Sequence, residues 1–211
     1  MIIKSCIDKT EINQMPRVTF RGNIRIADTP EAAERAIAHL QTFPLLGIDS
    51  ETRPSFHKGE NHKVSLLQIS SKTICYLFRL NLTGLIQPII SLLENPDITK
   101  VGLSLRDDFF MLQQRAAFTP QGYIELQEYI TPFGIEDKSL QKVFAILFGQ
   151  KISKAQQLSN WEAPSLTRPQ QQYAAIDAWA CLKIYEKLES LRQSGNFIIQ
   201  KIQKEQSQES L

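Results

Sequence analysis

A chain of 211 residues with 42% hydrophobic side chains is long enough to bury one core and suits a single globular domain with short extensions. A net charge of +2 excludes a strongly basic or acidic protein, yet leaves open a nucleic-acid surface built from locally arranged charge. Three cysteines, Cys6, Cys75 and Cys181, form no CxxC pair, which argues against a disulfide framework or zinc ribbon and makes a reducing, cytoplasmic compartment the default.

Residues 1–17 read as a loose leader. They contain no long apolar core and so no secretory signal, and no stretch of the chain reaches the roughly 20 apolar residues that span a bilayer. VTFRGNIRIAD (18–28) predicts strands around a turn at Gly22 and Asn23. DTPEAAERAIAHLQTF starts a helix, with Asp28 or Thr29 as its cap, Pro30 in its first turn and Glu31 and Glu34 near its positive end. LLGIDSE (45–51) is a strand, and KVSLLQISS (63–71) with TICYLFRL (73–80) makes a hairpin. A helix disturbed by Pro88 is expected over 82–95, a strand over 98–104 and a helix over 106–118. Further helices are expected at 122–130, 138–148 and 169–193, with 194–211 a polar, frayed tail. Early strands followed by alternating strand and helix predict one α/β domain over 18–193, with a mixed sheet.

Three acidic sites stand out. Asp49 and Glu51 are two apart in a strand, so they share a face while Ser50 points the other way. Two anions at the mouth of a buried strand repel each other unless a cation lies between them. The plain alternative is a strand end that has reached solvent. In KVGLSLRDDFFMLQQ (100–114), Asp107 and Asp108 fall at a helix start, where one acid is enough for a cap. Asp108 stands four residues before the core-facing Leu112, so it should tilt inward while Asp107 faces water. In YAAIDAWACLKIYEKL (173–188), Tyr173 and Asp177 share one face of a core-packed helix. A buried carboxylate there needs a partner or a cation.

Oxygen-only ligands favour hard cations such as Mg²⁺ or Mn²⁺. Four carboxylates suffice for two such ions roughly 3.5–4 Å apart, the arrangement that cleaves phosphodiesters. A tyrosine, with a free pKa of about 10, is a poor base but a good positioner of the attacking water.

In this order the motifs resemble the DEDD superfamily of 3′–5′ exonucleases. GIDSET matches its DxE motif, VGLSLRDDFFML the single Asp that follows a VG-containing strand, and YAAID the YxxxD of the tyrosine subclass, to which ribonuclease D and the Werner syndrome helicase exonuclease domain belong. SLLQIS and the stretch from SLQKVFAILFGQ through QQQYAAIDAW are also similar to that group, so the resemblance spans about residues 18–190. The histidine subclass does not match, because His39, His57 and His62 all lie far upstream of Asp177. The resemblance implies an RNase H-like fold, a mixed sheet flanked by helices with DxE on the first strand of that sheet. It implies two Mg²⁺ or Mn²⁺ ions held by Asp49, Glu51, Asp108 and Asp177, with Tyr173 orienting the water. The implied substrate is the 3′ end of nucleic acid, with DNA and RNA both open, and the implied products are nucleoside monophosphates.

Lys138, Lys142, Lys151 and Lys154 precede the third motif; Lys154 is the candidate phosphate contact, and a solvated basic face is the alternative. Core packing is expected for Phe109 and Phe110, with stacking on a terminal base the alternative for one of them. RPSFHKGENHK (53–63) should border the substrate channel; His57 and His62 within it have poor spacing for a metal site. Trp161 reads as a packing anchor. No GxxxxGK or GxGxxG segment is present, so no nucleotide or dinucleotide cofactor is expected. Little sequence follows the third motif's helix, so a free-standing exonuclease domain is expected, its oligomeric state left open. The rival readings are a non-catalytic nucleic-acid-binding module that keeps the fold, and an unrelated structural α/β protein.

Overall fold

The computed structural model describes residues 1–57 and 59–202. The chain opens with β1 (Ile2–Lys4) and α1 (Lys9–Gln14), then runs through β2 (Asn23–Ala27), α2 (Pro30–Leu40), β3 (Leu45–Thr52), β4 (Val64–Ser70) and β5 (Ile74–Phe78). Next come α3 (Leu80–Thr83), α4 (Gln87–Glu94), β6 (Thr99–Gly102), α5 (Leu105–Gln113), β7 (Tyr123–Glu125) and α6 (Leu126–Tyr129). After a 3₁₀ turn at Thr131–Phe133 follow α7 (Leu140–Phe148), α8 (Arg168–Ser194) and β8 (Ile198–Gln200). Among the described residues no helix is long and apolar enough to cross a membrane.

The central sheet has the order β2-β5-β4-β3-β6-β7. β4 alone runs antiparallel to its neighbours, β3 and β5; the other pairings are parallel. This is the mixed sheet flanked by helices that the sequence predicts, except that Asp49 and Glu51 lie on β3, the second strand of that sheet in chain order, because β2 joins its far edge ahead of them. The β3–β4 register opposes Ile48 to Ile69 and Asp49 to Gln68. Leu46, Ile48, Leu67 and Ile69 therefore bury on one face, in a core that includes residues of α2, α4 and α5. Leu66, Leu77 and Val101 face the other way, into a core shared with α7 and α8.

α8 is set by strong end signals. The Thr167 side chain accepts from the Gln170 backbone N–H while the Gln170 side chain accepts from the Thr167 N–H, and Gly195 closes the helix in the left-handed conformation. At Gly47 the helix passes directly over β3: a Cβ there would lie 1.9 Å from the Ala178 carbonyl oxygen. Thr29, rather than Asp28, caps α2, accepting from the Ala32 N–H.

Several expectations change. The leader is not loose: β1 and α1 pack on the domain, with Ile3 in the α8-side core and Ile7 and Ile12 against Ala145. Its partner is the expected tail, since β8 pairs in parallel with β1; residues 203–211 of that tail lie outside the described residues. Residues 18–22 form no strand: Val18 and Phe20 alternate inward as a strand would, but the segment finds only an isolated bridge between Arg17 and Lys151, and Gly22 is pressed against the Phe20 ring and Thr73 carbonyl. The 82–95 helix splits at Gly84, which takes φ +70°, a conformation glycine reaches without steric cost. The expected helix over 122–130 begins with a strand, because Tyr123–Glu125 closes the free edge of β6. The helix over 106–118 stops at Gln113.

Candidate metal centre

β3 carries Leu46 and Ile48 into the core and leaves Asp49 and Glu51 together on the α8 side at the end of the buried run. Because Gly47 has no side chain, α8 lies against the strand and presents Asp177 to the same spot. Asp49, Glu51 and Asp177 each have a carboxylate oxygen within 4.8 Å of the other two. Among the described residues no other cluster of His, Cys, Asp or Glu meets that proximity, so His57 and His62 belong to none.

Asp108 enters from α5. Its Oδ1 accepts a 2.5 Å hydrogen bond from the Ser50 hydroxyl, and it is not one of the three closely grouped carboxylates. Asp108 turns inward and Asp107 is exposed. The start of α5 is fixed from outside. Ser104 adopts φ +65°, unfavourable for a residue with a Cβ. The Glu125 carboxylate accepts from the Ser104 N–H at 2.9 Å, the Leu105 N–H at 2.6 Å and the Gln127 N–H at 3.0 Å. Ser50 and Glu125 were not singled out by the sequence. Ser50 sits inside DSE, but its contact to Asp108 spans 58 residues, and no local pattern announces it.

Crowded, poorly solvated acids resist ionisation. Burial, then the neighbouring Asp108, Asp177 and Glu51, hold Asp49 well above the ordinary carboxylate range. Burial with Asp177 and Asp108 pushes Glu51 up to about 9. Burial lifts Asp108 to about 7 against the lowering effect of the Ser50 hydrogen bond. Burial also lifts Asp177 to about 7, against the Tyr173 hydrogen bond and the positive charge of Lys154. Tyr173 itself is raised by burial and by the carboxylates, so its hydroxyl stays protonated. Trp161, fully buried as expected of an anchor, packs on the Tyr173 ring at 6.0 Å between centroids.

A cleft of about 450 Å³ opens beside Tyr173 and Asp177, lined also by Ser104, Gln127, Lys138 and Lys154. Three of the four expected lysines are tied down within the chain. Lys138 donates to the Gln127 carbonyl at 2.5 Å, Lys142 pairs with Asp137 at 2.9 Å, and Lys151 donates to the Asn13 carbonyl. Lys154 is exposed at the cleft. Phe109 is buried, but Phe110, expected in the core, is 62% exposed because it falls on the outer face of α5. The 53–63 loop is tethered through Glu162, which pairs with Arg53 at 3.4 Å and lies 3.7 Å from His62; Lys58 is outside the described residues.

A family model for 3′-5′ exonucleases matches residues 24–192. The chain is 29% identical over 199 residues to the bifunctional 3′-5′ exonuclease/ATP-dependent helicase WRN of Mus musculus, covering 89% of this chain and 14% of that protein. It is 33% identical over 154 residues to exonuclease 3′-5′ domain-containing protein 2 of Drosophila melanogaster, covering 71% of this chain and 26% of that protein. The chain thus spans well under half the length of these relatives. Among solved structures, the Nibbler EXO domain of Aedes aegypti aligns with a TM-score of 0.75 at 21% identity, covering 85% of this chain and 94% of that one. RNase D of Escherichia coli aligns with a TM-score of 0.72 at 22% identity, covering 82% and 46%. At these identities the structural likeness is one of fold.

Proposed function

The chain belongs to the 3′-5′ exonuclease family, and from that premise we propose that it hydrolyses the last phosphodiester at the 3′ end of DNA or RNA and releases nucleoside monophosphates. One observation carries the reading: Asp49, Glu51 and Asp177, on two different elements, bring carboxylate oxygens within 4.8 Å of one another in a poorly solvated site. Such a donor set fits hard divalent cations. Oxygens no more than 4.8 Å apart can share one hard cation, and the mutual repulsion of the acids is what a cation relieves. Asp49, Glu51 and Asp177 would hold Mg²⁺ or Mn²⁺, and Asp108 would complete the ligands for a second ion. When bound, the ion pair supplies a water of lowered pKa and stabilises charge on the leaving 3′ oxygen.

The remaining work falls to the chain. Asp108 is held in place by Ser50. Tyr173, beside Asp177 and kept protonated, orients the attacking water as a donor and does not act as a base. Lys154, exposed at the cleft beside Tyr173 and Asp177, would contact a substrate phosphate, and Trp161 packs against the tyrosine ring.

The test is a gel assay with 5′-labelled DNA and RNA oligonucleotides, in Mg²⁺ or Mn²⁺ against EDTA, with Asp49→Ala as control. A metal-dependent ladder shortening from the 3′ end, absent from Asp49→Ala, is expected. Stable oligonucleotide binding without cleavage on either polymer would favour a non-catalytic binding module instead.

A further inference from the structure

Gln68 lies in the middle of β4, directly opposite Asp49 in the antiparallel pair. Residues so paired point to the same face of a sheet, with Cβ atoms roughly 5 Å apart. Gln68 is fully buried, and neither its Nε2 nor its Oε1 has a hydrogen-bond partner among the described residues. On its other side β5 offers only Leu77. A buried carboxamide with neither end satisfied is costly, and a chain that needed only volume here would do better with Leu or Met. The one polar side chain opposed to it across the sheet is the Asp49 carboxylate.

We propose that Gln68 is a positioning residue for the carboxylate cluster, its Nε2–H donating to Asp49, directly or through one buried water, when that carboxylate binds a divalent cation. The inference rests on the exonuclease reading of the site. A ligating carboxylate keeps a second oxygen, and a donor on that oxygen fixes the orientation of the first. A neutral amide suits the task, because a lysine or arginine in its place would compete with the cation for the same charge.

Gln68→Met keeps the length of the side chain and removes both orphan polar atoms. Calorimetric titration of Mn²⁺ into the parent and this variant, with thermal unfolding in EDTA alongside, separates positioning from packing. The expected result is an Mn²⁺ Kd raised about 10- to 100-fold, with the metal-free melting temperature unchanged or higher. Turnover of a labelled oligonucleotide should fall while its KM stays put. A folded variant whose Mn²⁺ affinity is within about twofold of the parent's overturns the proposal, since loss of an orienting partner costs roughly tenfold or more. Should Gln68→Met fail to fold, the parent decides. Its Gln68 side-chain amide NMR signals should move when Mg²⁺ is added, and stationary amide signals beside shifting Asp49 and Glu51 backbone signals overturn the idea. If the parent shows no saturable Mn²⁺ binding that Asp49→Asn removes, the metal-centre reading fails and takes the Gln68 proposal with it.

Discussion

Gly47 and Ala178 meet where α8 lies against β3: a Cβ on the glycine would lie 1.9 Å from the Ala178 carbonyl oxygen. Ala178 follows Asp177, and Gly47 stands two residues before Asp49, so this contact sets the separation of two carboxylates in the cluster. A methyl group at position 47 must push α8 away from β3. Gly47→Ala is expected to cost about 1–3 kcal/mol, the usual range for overpacking, which lowers the melting temperature by roughly 3–10 °C in a chain of this size. It should also depress turnover at temperatures where the variant is fully folded. Thermal unfolding and an exonuclease assay on the same preparation check both; turnover equal to the parent's would mean that the close approach does not govern the site.

Raised carboxylate pKa values make a prediction about pH. Asp108 and Asp177 titrate at about 7 and Glu51 at about 9 in the folded chain, all driven up chiefly by burial. In the unfolded chain such groups titrate at about 4. Between those values the folded state binds more protons than the unfolded one, so stability falls as pH rises. The metal-free protein should therefore be more stable near pH 5 than near pH 8, with the decline running through pH 7 and on toward 9. Divalent cations replace the protons, so Mn²⁺ should restore stability mainly at the alkaline end and release protons on binding. Melting curves from pH 5 to 9, in EDTA and in Mn²⁺, test this; a metal-free protein equally stable at both ends would show that the acids do not crowd one another as the structure has them.

Tyr173 bears on the cluster through its hydroxyl, which lies in the field of Asp177, Glu51 and Asp49. Tyr173→Phe removes that oxygen and leaves the ring on Trp161. Turnover should fall roughly 10- to 100-fold, the scale on which misplaced reacting groups slow a reaction, while oligonucleotide affinity changes little. Single-turnover rates and a binding titration on a metal-free complex separate the two effects. An equal loss of affinity would make Tyr173 a substrate contact instead of an orienting group.

How much of this could be read from the chain depends on how far apart the interacting residues lie. The shared face of Asp49 and Glu51 follows from the strand period, and the shared face of Tyr173 and Asp177 from the helical one; both are local and both were legible. The inward turn of Asp108 followed from its spacing to Leu112. What local pattern cannot supply is pairing between distant segments. The three-residue strands β1, β7 and β8 exist because each finds a partner strand, and three residues are too few to display a period. The Glu125 clasp on Ser104 and Leu105 bridges about twenty residues, and Gln68 becomes notable only once the register sets it against Asp49.

Two adjacent acids at the start of α5 provide the sharpest internal control. Asp108 is turned inward, bound by Ser50 at 2.5 Å, and Asp107 is exposed on the neighbouring face. Both acids favour the helix N-terminus, so capping alone would make the two alanine variants alike, each costing about 0.3–1 kcal/mol. The site reading breaks that symmetry. Asp108→Ala removes the acid assigned to the second ion and leaves Ser50 without its acceptor, so cleavage should be lost even though the fold, relieved of one half-buried acid, keeps or gains stability. Asp107→Ala should leave turnover within about twofold of the parent, because an exposed charge acts only through a solvent-screened field. Glu125→Gln offers an intermediate case: it keeps the side chain's size but weakens the acceptor that holds Ser104 at positive φ, and should lower both stability and turnover. Measuring the three variants side by side, by melting and by single-turnover cleavage, ranks them; an Asp107 variant more damaged than the Asp108 variant would shift the second acidic motif by one residue along α5.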